Sequence, residues 1–329
     1  MVKRIPLIDP QEAERSPADK TRFIDTLERG FEDIGFVFVR MDGISSILLP
    51  IYSKFRQVFR LPFEVKQKYA KQEYGYQVGW TPLYGELGIA CRRIGEGGAP
   101  MRDYKECWFI RQDPWSDREE MIEKFPLSFP PISNIWPVEV QGFSHAMWKL
   151  YLTLLTFAKK TILPALDIYL GKPECFFNDM IESGPTSMRS IYYPNVLPEL
   201  AGKVIWGCNH TDINLITVLP PSLDPPSSPE AGLWIRRRDG EWIRGSAPDE
   251  CVIFQVGDML DYLTGGWFMS AAHEVRAPEI STKQDRVSAA LFIHPHPATV
   301  LDPGMPKFPA RTAYSMLEER LRQIDLASG

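Results

Sequence analysis

The sequence predicts a mainly β fold with flanking helices. After residue 184, six short apolar runs follow one another, separated by turn residues such as Asp239-Gly240 and Gly265-Gly266. Many short strands at close spacing are typical of a sandwich or a barrel. The predicted strands cover residues 188–193, 204–208, 215–219, 233–236, 252–255 and 287–293.

The rest of the chain has helical periodicity at both ends. Apolar residues at steps of three and four predict helices, with Gly35 ending the first and Pro62 opening the third. Pro164 is expected to kink or divide the longest one. A short strand is predicted over residues 36–39. The predicted helices run over residues 19–34, from about 45 to 59, over 62–68, over 141–170 and over 313–324.

Composition and charge exclude several classes of protein. A length of 329 residues suits one large β-rich domain with added helices, or two smaller domains. The net charge of −5 argues against a nucleic-acid partner. No apolar run approaches the roughly 18 residues of a membrane span, so we expect no membrane partner and a cytoplasmic location. The five scattered cysteines are expected to be free thiols.

The segment His210-Thr211-Asp212 carries the first chemical signal. Residues two apart in a strand point to the same side, so an imidazole and a carboxylate can lie side by side. His273 can supply a third ligand from a neighbouring strand. Two imidazoles and one carboxylate leave three octahedral positions open, which suits Fe(II), a chelating co-substrate and O2. Zinc could occupy the same ligands, although open positions favour redox chemistry over a closed structural site.

A second signal is Arg286-Val287-Ser288, 13 residues beyond His273. Arginine and serine two apart on a strand share a face. Together they can bind a remote carboxylate, the arginine through bidentate charge-assisted hydrogen bonds and the serine through its hydroxyl.

These residues lie within a longer pattern that resembles the isopenicillin N synthase-like branch of the iron(II)/2-oxoglutarate-dependent dioxygenases. The match begins at Ile5-Pro6-Leu7-Ile8-Asp9 and runs in order through almost the whole chain. Its strongest segments are Asp103-Tyr104-Lys105-Glu106, the Ile191-Tyr192-Tyr193-Pro194 strand end, residues 209–219, Val256-Gly257-Asp258, His273-Glu274-Val275 and Arg286-x-Ser288.

The resemblance implies a distorted double-stranded β-helix, that is, a jelly roll of cupin-like type, with helices on one side. The whole chain, 1–329, would form a single dioxygenase domain. Residues 1–183 would be a mainly helical N-terminal part with the first strands, 184–300 the catalytic jelly-roll core, and 301–329 a C-terminal link and helix.

The resemblance also implies residue roles and cofactors. His210, Asp212 and His273 would bind Fe(II), and Arg286 and Ser288 the distal carboxylate of 2-oxoglutarate, with a further hydrogen bond from Tyr193. The enzyme would hydroxylate, desaturate or cyclise a small molecule, consuming O2 and releasing succinate and CO2, with ascorbate as a supporting reductant. Two rivals stay open: a 2-oxoglutarate-independent oxidase of the isopenicillin N synthase type, and a non-catalytic binding protein.

The chain departs from the family pattern at two places, one near the residues implied to bind 2-oxoglutarate and one directly after Asp212. Ile191 stands where many plant members have asparagine, and Ile213-Asn214 where the family often has a glycine.

Three residues are candidates for binding the primary substrate. Glu86 and Tyr84 fall in a glycine-rich stretch, 74–100, that is expected to form loops and a pocket wall, and Arg189 begins the Tyr-Tyr-Pro strand. For each, a loop-ordering hydrogen bond or salt bridge is the competing interpretation. His294 and His296, between prolines, are expected to lie in a solvated loop. The sequence leaves the substrate, the oxidative outcome and the oligomeric state open.

Overall fold

The computed structural model describes residues 3–83, 103–112, 118–224, 228–280 and 284–327. Within these ranges the α-helices are α1 (Pro10–Ala13), α2 (Pro17–Asp33), α3 (Ile44–Phe59), α4 (Phe63–Gln67), α5 (Arg118–Lys124), α6 (Phe143–Tyr169), α7 (Phe176–Ile181), α8 (Asp258–Leu263) and α9 (Ala313–Ala327).

The strands of the same ranges form two main sheets and one short pair. They are β1 (Leu7–Ile8), β2 (Phe36–Arg40), β3 (Gly79–Thr81), β4 (Glu106–Arg111), β5 (Ser187–Tyr193), β6 (Gly207–His210), β7 (Ile216–Leu219), β8 (Gly232–Arg236), β9 (Trp242–Arg244), β10 (Cys251–Val256), β11 (His273–Arg276), β12 (Arg286–Ile293), β13 (Val300–Leu301) and β14 (Arg311–Thr312).

The larger sheet has eight strands in the order β1-β2-β10-β7-β12-β5-β4-β3, and the smaller one has the order β6-β11-β8-β9. Side chains from both sheets meet in one apolar cluster, to which Phe36, Phe38 and Ile253 contribute from the larger sheet and Ile235 from the smaller. The two sheets therefore pack face to face, as the closely spaced apolar runs predict.

The helices cover the other face of the larger sheet. The main apolar core joins buried residues of α2, α3 and α6 to buried residues of β2, β7, β10 and β12. Phe31 of α2, Phe55 of α3 and Leu150 of α6 are fully buried there. Because the helices cover this face of the sheet, the opposite face is the one that borders a cavity between the sheets.

Most predicted elements are confirmed, and the differences have physical causes. Pro164 lies inside α6 and does not divide it, which leaves a kink as the remaining prediction. The strand predicted over 204–208 begins instead at Gly207 and ends at His210. Strand β4 was not predicted because all of its residues are buried and its side chains therefore lack the apolar–polar alternation of a half-exposed strand.

The prediction of five free thiols is also wrong. Cys107, Cys175 and Cys251 have reduced thiols, but Cys208 is disulfide-bonded. The spacing of cysteines along a chain does not reveal which distant segments meet in space, and a disulfide forms where two Cα atoms come within about 7 Å with their Cβ atoms directed towards each other. Among the described residues, no helix is both long and apolar enough to cross a membrane.

A buried ion pair stabilises the start of β4. Lys66 of α4 and Glu106 are both 6% exposed, and their charged atoms lie 2.5 Å apart. The indole of Trp80 donates a second hydrogen bond to the same carboxylate oxygen, at 2.7 Å, and the Lys66 ammonium also donates to the carbonyl of Phe59. The pair thus joins α4 to β4, the strand that pairs with β5.

We expect Lys66→Met to lower the free energy of unfolding by about 3–5 kcal/mol, because it leaves a buried carboxylate without its cation. Lys68→Met, two residues away at an exposed position, should change it by less than about 0.5 kcal/mol. Urea denaturation of the two variants measures the difference. Equal stabilities would contradict the assigned role of the ion pair.

Candidate functional site

Three potential metal ligands converge between the two sheets. His210 at the end of β6 and His273 at the start of β11 are direct partners in the antiparallel pairing of the smaller sheet. One ligand atom from each histidine and one carboxylate oxygen of Asp212 lie within 4.8 Å of one another. Nε2 of His210 is 3.4 Å from Oδ1 of Asp212, and Nε2 of His273 is 3.9 Å from it.

Asp212 reaches this position from a loop, not from a strand. Strand β6 ends at His210, so His210 and Asp212 do not lie on one face of a single strand, contrary to the prediction. Their side chains nevertheless lie close together. Backbone contacts set the loop instead: the N–H of Asp258 donates to the carbonyl of Asp212 at 2.7 Å. Gly257 allows the close approach, since a Cβ there would lie 2.0 Å from the carbonyl oxygen of Asn214.

Hydrogen bonds orient all three ligands. Nδ1 of His210 donates to the carbonyl of Cys208 at 2.5 Å, and Nδ1 of His273 donates to the carbonyl of Ala271 at 3.1 Å. In its neutral form, each ring therefore carries its lone pair on Nε2, the atom that faces Asp212. The Thr217 hydroxyl donates to Oδ2 of Asp212 at 2.6 Å, which leaves Oδ1 facing the imidazoles. Such outer contacts fix the tautomer and the direction of metal ligands.

The electrostatics of the cluster favour the protonation states that a cation requires at two of the three ligands, His273 and Asp212. At His210, burial by itself would lower the pKa, but the hydrogen bond to Asp212 and the charge of that carboxylate outweigh burial and raise it. Burial lowers the pKa of His273 to about 4, and neighbouring His210 acts in the same direction, so the ring is neutral at pH 7. Burial by itself would raise the pKa of Asp212, but the hydrogen bond from His210 and the nearby imidazoles outweigh it and hold the pKa well below its usual range. Metal ligands must be deprotonated in this way.

Asp258, at the first position of α8, connects the two ligand-bearing segments. Its carboxylate accepts hydrogen bonds from Thr211, between the first two ligands, at 3.3 Å, and from Ser270, ahead of His273, at 2.5 Å. Arg320 of α9 is ion-paired with the same carboxylate and also donates to the Thr211 hydroxyl at 3.1 Å. The C-terminal helix is therefore attached directly to the ligand loop.

The cluster opens into a cavity of about 220 Å³ between the sheets. His210 is the ligand that faces it most, with 44% of its side chain exposed, whereas Asp212 and His273 are below 10%. Apolar side chains from both sheets form much of the wall, among them Leu219, Leu233, Ile253 and Val275. These apolar side chains would shield one side of a group bound beside the cluster from water.

The far wall of this cavity carries the predicted carboxylate site. Arg286 and Ser288 of β12 are register partners of Tyr193 and Ile191 of β5, and all four line the cavity. The guanidinium carbon of Arg286 lies 4.9 Å from the centre of the Tyr193 ring and 5.8 Å from that of Trp206. Its Nη1 atom is buried and makes no hydrogen bond within the described part of the chain.

The other predicted residues have different outcomes. Arg189 of β5 lines the cavity and stacks on Phe109 at 4.2 Å and on Phe292 at 5.2 Å, so its placement agrees with a substrate wall. Glu86 and Tyr84 lie outside the described residues. His294 lies in a loop after β12, as expected, but it is partly buried, and burial lowers its pKa to about 4.

Sequence reasoning missed the groups that support the ligands. Thr217 and Gln255 are both fully buried, and the amide of Gln255 lies 3.2 Å from Nδ1 of His273. Both stand on the face of the larger sheet that looks into the cavity, where they are register partners. The sequence does contain a sign of these two residues, since each is a polar residue inside an otherwise apolar strand. A buried polar side chain requires a hydrogen-bond partner, so such residues are candidates for contacts with the ligands.

Two family models match the chain. One, described as the N-terminal part of non-haem dioxygenases in morphine synthesis, covers residues 5–137, and the other, the 2OG-Fe(II) oxygenase superfamily, covers residues 185–295.

Among characterised relatives, a homoarginine-6-hydroxylase from Arabidopsis thaliana is 30% identical over 260 residues. These make up 77% of this chain and 65% of that protein, so the chain spans just under two thirds of it. A second Arabidopsis homoarginine-6-hydroxylase is 29% identical over 85% of this chain and 79% of its own length.

Solved structures extend the likeness to the whole fold. A 2OG-Fe(II) oxygenase family protein from Caulobacter crescentus superposes with a TM-score of 0.77 at 26% identity, covering 98% of this chain and 100% of its own. A full-length protein of Neurospora crassa, solved in complex with alpha-KG, has the same fold, with a TM-score of 0.77 at 19% identity and coverage of 97% and 96%. The jelly-roll prediction is confirmed, and the chain belongs to the 2OG-Fe(II) oxygenase superfamily, in the isopenicillin N synthase-like family of iron(II)- and 2-oxoglutarate-dependent dioxygenases.

Proposed function

We propose that the protein is an oxidoreductase that oxidises a small-molecule substrate with O2, using iron(II) held by His210, Asp212 and His273 and 2-oxoglutarate anchored by Arg286. One observation carries the proposal: a three-ligand cluster and a buried guanidinium nitrogen without a hydrogen-bond partner among the described residues share one cavity. A metal alone would need only the cluster, whereas a chelating dicarboxylate needs both.

The donor set fits iron(II). Two imidazole nitrogens and one carboxylate oxygen on one side of a metal leave three positions for other ligands, the arrangement typical of non-haem Fe(II) oxygenases. The orientation of each donor supports this assignment, since both Nε2 atoms and Oδ1 of Asp212 already face one another. The Thr217 hydroxyl donates a hydrogen bond to Oδ2, which favours binding of the metal by Asp212 through Oδ1 alone.

The opposite wall fits the distal carboxylate of 2-oxoglutarate. Arg286 offers a fixed cation with donors in a planar fork, and Ser288, two residues along β12, lines the same cavity. Burial raises the pKa of Tyr193, so its hydroxyl stays protonated and can donate a further hydrogen bond. Ile191 supplies an apolar contact where many plant relatives have asparagine.

The chain's own contribution is binding, orientation and exclusion of water. The chemistry supplied by iron(II) and 2-oxoglutarate when bound is the oxidation of a C–H bond by O2, coupled to decarboxylation of the 2-oxo acid to succinate. His210, Asp212 and His273 fix the geometry of one end of the site, and Arg286 and Ser288 fix the other. The apolar side chains between them shield the reacting groups from solvent.

The primary substrate is proposed to contact Arg189, whose guanidinium is held between the rings of Phe109 and Phe292 at the cavity wall. Glu86 and Tyr84 stay predictions for the same role. The net charge of −5 supports a protein without a nucleic-acid partner, and the lack of a membrane partner and the cytoplasmic location stay predictions.

The test is succinate formation from labelled 2-oxoglutarate with iron and ascorbate, first without substrate and then with a mixture of metabolites. We expect iron-dependent succinate that rises when the substrate is present, and none after chelation of the metal. Protein that binds iron but neither binds nor decarboxylates 2-oxoglutarate, even with its true substrate, would instead be the 2-oxoglutarate-independent oxidase.

A further inference from the structure

Two carboxylates lie next to Arg286, the proposed anchor for the co-substrate. Asp224 lines the same cavity, and Asp285 directly precedes Arg286 in the chain. A carboxylate that turned towards the guanidinium would occupy its donors, and it would also repel an incoming dicarboxylate. Such interactions are stronger between partly buried groups than in bulk water, because the effective dielectric constant there is lower.

Two arginines, one in the last turn of α3 and one directly after it, bind both acids. Arg56 is ion-paired through Nη2 with Asp224, and its Nε donates to Asp285 at 3.2 Å. Arg60 donates to the other oxygen of Asp285 at 2.6 Å, and the Tyr192 hydroxyl donates to that oxygen at 3.0 Å. Burial would raise the pKa of Asp285, but the hydrogen bonds from these arginines outweigh it and lower the pKa.

Asp224 is fixed through both of its oxygens. One is bound to Arg56, and the other accepts the backbone N–H of Val287 at 3.0 Å. The loop that carries Asp224 is attached nearby, because the Ser222 hydroxyl donates to the carbonyl of Val287 at 3.2 Å and the Tyr52 hydroxyl to the carbonyl of Pro221 at 3.0 Å. Within the described ranges, the buried Nη1 atom of Arg286 has no carboxylate partner.

We infer that Arg56 is a positioning residue of the co-substrate site: by holding Asp224 against α3, it keeps the guanidinium of Arg286 available for the distal carboxylate of 2-oxoglutarate. This inference rests on the proposed function, because it concerns the same anchor. The role is electrostatic, so removing the competing acid should compensate for the loss of Arg56. A purely structural role of Arg56 would not be compensated in this way.

The experiment measures the Kd of 2-oxoglutarate by calorimetry with Mn(II) bound, which avoids turnover. We expect Arg56→Met to raise this Kd at least tenfold, and Asp224→Asn in the same chain to bring it back to within about threefold of the wild-type value. Mn(II) affinity should be unchanged in both variants, because neither residue contacts the ligand cluster. Arg60→Met is the matched control. Arg60 follows α3 directly and contacts Asp285, but its described contacts do not include Asp224. The Kd of 2-oxoglutarate for this variant should therefore stay within threefold of the wild-type value.

Three results would overturn the inference. The first is a wild-type Kd for Arg56→Met, and the second is a double variant that binds as weakly as Arg56→Met alone. The third is wild-type protein that binds Mn(II) but gives no heat with 2-oxoglutarate. This third result also contradicts the proposed function, whereas the first two contradict only the role of Arg56. If Arg56→Met does not fold, Arg56→Lys replaces it. Because one ammonium cannot bind both acids, the Kd of 2-oxoglutarate should rise about threefold or more in this variant, and Asp224→Asn should restore it. An unchanged Kd in Arg56→Lys would contradict the inference.

Discussion

His210→Ala and Asp212→Ala are each expected to abolish substrate oxidation and to weaken Fe(II) binding at least about 100-fold. Even residues that only support metal ligands typically contribute 10- to 100-fold to affinity, so the loss of a ligand should cost no less. The fold should survive, since His210 and Asp212 lie at the end of β6 and in the loop after it, outside the main apolar core. Equilibrium dialysis against Fe(II) under anaerobic conditions measures the affinity.

The matched control is His145→Ala, at an exposed position of α6. This variant should bind Fe(II) as the wild type does and retain full activity, because His145 is remote from the cluster. Thermal unfolding should show all three variants folded in the absence of metal. Wild-type affinity for Fe(II) in both ligand variants would remove His210 and Asp212 from the metal site.

Sequence reasoning located the ligands but for a reason that is only partly correct. His210 and Asp212 were expected to share a strand face, yet β6 ends at His210 and the carboxylate is placed by backbone hydrogen bonds of the following loop. The pattern still indicated the right residues because a short spacing keeps two side chains close in either conformation. His273 was identified as a partner from a neighbouring strand, and it is paired directly with His210.

The features that the sequence did not reveal depend on long-range contacts. Arg56 and Asp224 are 168 residues apart, and Arg56 and Asp285 are 229 apart, so no local pattern links them. Likewise, Arg320 reaches Asp258 only because α9 packs against the ligand loop. Hydrophobic periodicity reports which face of an element is buried, but it contains no information about which distant element covers that face. The division at residues 183 and 300 stays a prediction for the same reason.

Arg286→Ala is expected to raise the KM for 2-oxoglutarate by about 30-fold or more. Removing one partner of a buried charge pair costs about 2–5 kcal/mol, and each 1.4 kcal/mol corresponds to about tenfold in affinity. The buried Nη1 atom has no hydrogen-bond partner among the described residues, so its whole interaction is available to the carboxylate. Arg286→Lys should restore binding only in part, because an ammonium lacks the planar fork that matches a carboxylate.

Succinate formation at varied 2-oxoglutarate concentration measures this KM, and Ser288→Ala serves as the comparison. The serine hydroxyl contributes one hydrogen bond to a charged carboxylate, worth about 1.5–3 kcal/mol, so its loss should raise KM about tenfold or more, but by less than the loss of the Arg286 cation. An unchanged KM in Arg286→Ala would contradict the assignment of the anchor. A different result would favour the oxidase interpretation over the dioxygenase one. In that case the wild type does not consume 2-oxoglutarate, and Arg286→Ala loses affinity for the primary substrate, because Arg286 then binds a carboxylate of that substrate.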